Sequence, residues 1–168
     1  MTAHDAGSKD SGSFLVHKSD ASTLGQSEAA CDSTFIAIAR LVFVGAHCAT
    51  GNCHAPGPDA PAVGLDLTES KAYALLVDVA PKAQLDATFR RVTPGDEQTS
   101  LLYRKLIAAE PAGEKLPDNA GLPMPIDLPP VAPENLSALR AWIRAGAKET
   151  GVTPGTEDFV ARCAAATQ

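Results

Sequence analysis

The chain has 168 residues, 45% of them hydrophobic, and carries a net charge of −6. That length supports one domain with a sizeable core, and no apolar run approaches the roughly 18–20 residues that a membrane-spanning helix needs. Lysines and arginines are scattered, which excludes the basic stripe of a nucleic-acid-binding surface.

Residues 1–13 are polar and contain no apolar segment, so they do not read as a secretory signal. Residues 1–30 repeat Ser, Asp, Ala and Gly around the apolar island Phe14-Leu15-Val16 and are expected to be a flexible leader. A first helix should start near Asp32 or Ser33, both good N-caps. It carries Phe35, Ile38, Ala39 and Val42 at helical spacing and weakens at Gly45. From Cys48 to Ala62 prolines and glycines predict a loop. A short helix follows Thr68, with Ala72, Leu75 and Leu76 on one side; Pro81 to Arg91 is undecided. Thr93-Pro94-Gly95-Asp96 is a turn, and Thr99 to Ile107 reads as a helix. Glu110 to Pro133 is irregular, with seven prolines. Pro133 suits the first position of a helix that carries Leu136, Leu139, Ile143 and, on its flank, Trp142. A last helix is expected from Thr156 to about Ala165. The fold class is therefore mainly α, with four to five short helices and long Pro/Gly-rich loops.

Chemistry concentrates in Cys48-Ala-Thr-Gly-Asn-Cys53-His54. Two thiols followed at once by an imidazole suit a c-type haem: the thiols form thioethers with its vinyl groups and the histidine binds iron. The usual gap between the cysteines is two residues; here it is four. Gly51 and Asn52 tolerate left-handed φ values and are expected to let the extra residues bulge outward. Met124, the only methionine besides Met1, sits in Gly121-Leu-Pro-Met-Pro125. Its thioether is a candidate second ligand, since a methionine opposite a histidine is a common cytochrome pair. The plain alternative is a gap-filling core methionine.

The order is an apolar helix (Phe35 to Ala46), a Cys…Cys-His loop, a middle helix, a Met-Pro loop and a late helix with Trp142. This resembles class I cytochrome c. More closely it resembles the cytochrome c-like domains of secreted proteins and lipoproteins of myxobacteria and planctomycetes. The shared motifs are Gly64 to Leu67, Arg91 to Asp96, Tyr103 to Leu106 and Leu139 to Ala147. The resemblance spans roughly residues 35–147. It implies residues 31–168 as one cytochrome c-like domain around a single covalent haem, with His54 proximal and Met124 distal and the first and last helices crossing. If they cross, Cys31 and Cys163 can meet and form a disulfide in an oxidising compartment; two unpaired cysteines are the alternative.

Arg90, Arg91, Tyr103 and Lys105 are candidates for binding haem propionates, because cations and hydroxyls match carboxylates; ordinary surface pairing is the alternative. Trp142 packs the core or the haem edge. His47 and His4 read as surface residues, and His17 as a distant substitute ligand.

Three readings remain open. The first is a monohaem electron-transfer protein, not an enzyme, that meets a redox partner protein or belongs to a larger electron-transfer assembly. It lies in the periplasm or outside the cell, its signal peptide or lipoprotein leader removed. The second is a haem-free secreted binding or structural module in which Cys48 pairs with Cys53. The third is a zinc site at Cys48, Cys53 and His54, which lacks a fourth ligand.

Overall fold

The computed structural model describes residues 31–58 and 61–166. The expected leader, with His4 and His17, lies outside the described residues. Five α-helices carry the fold: α1 Thr34–Ile38, α2 Glu69–Leu76, α3 Leu101–Ile107, α4 Pro133–Arg144 and α5 Glu157–Ala166. Among the described residues there is no β-strand; isolated bridges pair Val77 with Val92 and Arg90 with Ser100.

Ser33 caps α1, its Oγ accepting from the Ile36 N–H at 3.2 Å. This satisfies one of the N–H groups that a helix start leaves open. The helix widens into a π-type segment over Ala39–Val44 and ends at Gly45. A Cβ at Gly45 would stand 2.5 Å from the Leu41 carbonyl oxygen, so only glycine fits this close turn. Pro133 opens α4 as expected, and Gly146 (φ +95°) follows its end.

The core lies where α1 packs on α4 and α5 and α3 packs on α4. Phe35 sits 5.6 Å from Trp142 and edge-on to Tyr73 at 5.1 Å, ring centre to ring centre. Trp142, placed on a flank by sequence periodicity, is fully buried, and its Nε1–H donates to the Lys148 carbonyl at 2.7 Å. That bond removes the penalty of burying the indole N–H.

A buried polar seam joins α1 to the segment before α5. Thr156 Oγ1 donates to the Thr153 carbonyl (2.8 Å), so the 2.7 Å contact with Thr34 uses the Thr34 hydroxyl proton. Thr34 Oγ1 in turn accepts from the Thr153 N–H at 2.7 Å. Beside this seam Cys31 and Cys163, 132 positions apart, form a disulfide with Cα atoms 5.9 Å apart. The pairing of the first and last helical regions is thus both packed and covalent.

Candidate functional site

The Cys-His loop leaves the π-type segment through His47, whose φ of +58° makes the left-handed step. Gly51 and Asn52, expected to make it, are not among the positive-φ residues. Gly51 serves a different need. A Cβ on Gly57 would lie 2.2 Å from the Gly51 carbonyl oxygen and 2.8 Å from its Cα, so the two backbones touch. The four residues between the thiols are drawn in rather than bulged out. The Thr50 carbonyl accepts from both Cys53 N–H (3.0 Å) and Ala55 N–H (2.9 Å), and the His54 N–H returns to the Cys48 carbonyl at 3.0 Å.

Cys48 and Cys53 are both half-buried and are not joined to each other. Burial, and then the neighbouring Cys53, pushes the Cys48 thiol up to about 11, so it keeps its proton. Its Sγ faces the Ala46 carbonyl at 3.7 Å.

His54 is half-buried, and its Nδ1 lies 3.2 Å from the Leu65 carbonyl oxygen. A carbonyl only accepts, so this contact places the ring proton on Nδ1 and leaves the Nε2 lone pair to bind a metal. Such an outer bond orients a ligating histidine. Burial holds the imidazole below its usual pKa; the Leu65 and Ala62 carbonyls oppose this, and the charges of Arg91 and Lys105 add to it.

The candidate cations divide. Arg91 is only 9% exposed, and its side chain makes one hydrogen bond, Nη1–H to the Leu75 carbonyl at 2.8 Å. A guanidinium has five donors, and among the described residues no anion pairs with this one. Lys105 is half-buried, and its Nζ donates to the Leu122 carbonyl at 2.7 Å. Arg90 turns back on its own loop, bonding the Ala87 and Phe89 carbonyls and pairing with Asp78 at 3.3 Å. Tyr103 stands two residues from Lys105 on α3, about 200° around the helix. It lines a cavity of about 260 Å³ with Gln98, Glu110 and Arg140. Arg91 and Lys105 are the two candidates whose charges reach His54.

Met124 is partly buried against the edge of the core. Its N–H donates to the Lys105 carbonyl at 3.0 Å, which ties the methionine loop to the residue whose charge reaches His54. Leu122, Ile126 and Leu128 on this loop are exposed, as is Val63 beyond the Cys-His loop. Trp142 is a core residue, and His47 is exposed.

No model of a protein family, no curated protein and no solved structure matches this chain. What it does must be read from its own residues.

Those residues suit a haem. It needs two separate thiols, an oriented neutral imidazole, a thioether on a neighbouring loop, a cation short of an anion, and apolar side chains to cover a flat ring. The described residues include each of the five, the thiols and imidazole on the Cys-His loop and the thioether on the loop bonded to Lys105. A zinc ion asks instead for four converging N and S donors. Among the described residues no three His, Cys, Asp or Glu side chains are grouped to hold a metal ion. Two contributors escaped the sequence reading. The Leu65 carbonyl is a backbone atom with no residue signature, and the Gly51–Gly57 contact joins two glycines that look like ordinary loop punctuation.

Proposed function

We propose that this chain is a monohaem c-type cytochrome that transfers electrons outside the cytoplasm. The observation that carries the reading is the setting of His54: its ring proton is tied to Leu65, and beside it stand two unjoined thiols and the unmatched charge of Arg91. A bound haem supplies a one-electron iron centre whose potential is set by its axial ligands and surroundings.

The chain's own residues then have distinct tasks. Cys48 and Cys53 would hold the haem as thioethers, each S–H adding across a vinyl group with its proton passing to carbon, which needs no oxidant or leaving group. The raised pKa of Cys48 keeps that proton in place. His54, through Nε2, and Met124, through its thioether, would bind the iron. Arg91 would meet a propionate, because a desolvated guanidinium gains most from a carboxylate. Iron held by both side chains would keep no position for a substrate, so the task would be electron transfer and not catalysis. The mildly acidic chain suits a basic redox partner or a place in a larger electron-transfer assembly. The Cys31–Cys163 disulfide fits an oxidising compartment such as the periplasm or the exterior.

The deciding experiment is an absorption spectrum of protein made in a host able to attach haem. A Soret band that survives acid-acetone extraction supports the proposal; a colourless product overturns it and leaves the disulfide-stabilised module. Met124→Ala is expected to lower the reduction potential and open the sixth position to added ligands. An unchanged potential and spectrum would remove Met124 from the ligand set.

A further inference from the structure

We infer that Lys105 is the positioning residue for Met124, holding the Gly121–Met124 strap against α3 through both its backbone carbonyl and its ammonium. This rests on the proposed ligand role of Met124.

The last carbonyls of a helix have no partners within it. At the end of α3 the Arg104, Leu106 and Ile107 carbonyls accept from the nearby Ala108, Ala109 and Glu110 N–H groups. The Lys105 carbonyl instead accepts from Met124, at 3.0 Å. Pro123 and Pro125 have no N–H, so Met124 carries the one backbone donor of that tripeptide. The side chain of Lys105 grips the same strap one step earlier, donating to the Leu122 carbonyl at 2.7 Å. Gly121 completes the fit. Its φ of +81° suits glycine, and its Cβ position lies 3.4 Å from the Lys105 Nζ, so the strap turns directly beside the ammonium. One lysine thus holds both sides of Pro123.

The test uses Lys105→Met, which removes the ammonium and keeps an unbranched apolar stem, and Lys105→Arg, which keeps a cationic donor. In the haem-free full-length chain, K105M is expected to speed exchange of the Met124 amide hydrogen, whose N–H is bonded to the Lys105 carbonyl, about tenfold, the effect of losing the one good hydrogen bond that pins the neighbouring Leu122 carbonyl. Amides of α4 should be unchanged, and K105R should stay near the parent. In haem-loaded protein, K105M should weaken the charge-transfer absorption of a thioether-ligated ferric haem and lower the potential, and K105R should restore both. Unchanged strap exchange in K105M, or an intact thioether signature, would overturn the inference. If the parent chain takes up no covalent haem, the ligand reading fails by itself, and the amide exchange still decides whether Lys105 holds the strap.

Discussion

Thr34 and Arg91 are both buried and polar, yet only Thr34 has every group matched. Its hydroxyl donates to Thr156 and accepts from Thr153, inside a seam closed by the Cys31–Cys163 disulfide. Arg91 has one carbonyl for its guanidinium. The same contrast runs through the two regions they belong to. Around α1, α4 and α5 the rings stack, the indole N–H is bonded and the cysteines are joined. Around the Cys-His and methionine loops the thiols are separate, a cation lacks an anion, and Leu122 is 63% exposed. A region that completes its own bonding is scaffold. The loop region keeps groups that a bound haem, as proposed, would use.

Changes that break the scaffold should therefore cost more than changes at the loops. Trp142→Ala is expected to lose about 3–5 kcal/mol, because it opens a cavity beside Phe35 and removes a satisfied donor; denaturant unfolding measures it. Converting Cys31 and Cys163 together to Ser should cost about 2–4 kcal/mol, since the closed loop is long. The check is a fall in melting temperature that reducing agent produces in the parent but not in the variant.

Glu97 tests the boundary between the regions. Arg144, which donates to its carboxylate from Nε and Nη2, with help from Arg140, holds it down to about 2 from an ordinary 4.5. A depressed carboxylate contributes stability above its unfolded pKa and loses it as pH falls through the folded one. Stability should decline from about pH 4.5 toward pH 2, and Glu97→Gln should flatten that part of the curve. The smallest expected effect lies at the centre of the loop region. Arg91→Met in the haem-free chain should leave stability unchanged or slightly raised, by no more than about 1 kcal/mol, because it removes a buried charge that lacks an ion partner. The same change should reduce the yield of haem-loaded protein. A large loss of stability in the haem-free variant would show that Arg91 belongs to the scaffold after all.

Much of the scaffold was legible in the sequence. Apolar spacing marked the helix from Phe35 and the one after Pro133, the cap of the first was narrowed to Asp32 or Ser33, and the expected crossing of the first and last helices brought Cys31 to Cys163. These are cases where local preference and tertiary packing agree. The loops were less legible, since their geometry depends on backbone atoms that any residue carries. Leu65 matters through its carbonyl, and Gly51 through its contact with Gly57 rather than its φ. Tyr103 is a different case: helical period alone sets it on the opposite side of α3 from Lys105, and grouping the two by chemistry overlooked that.

The bond between Cys31 and Cys163 also has a mechanical meaning. A pull applied through residues flanking the pair would pass across one sulfur–sulfur link, with the backbone it joins only 5.9 Å apart at the Cα atoms. Everything between them, both loops included, would carry none of the load until that link was reduced.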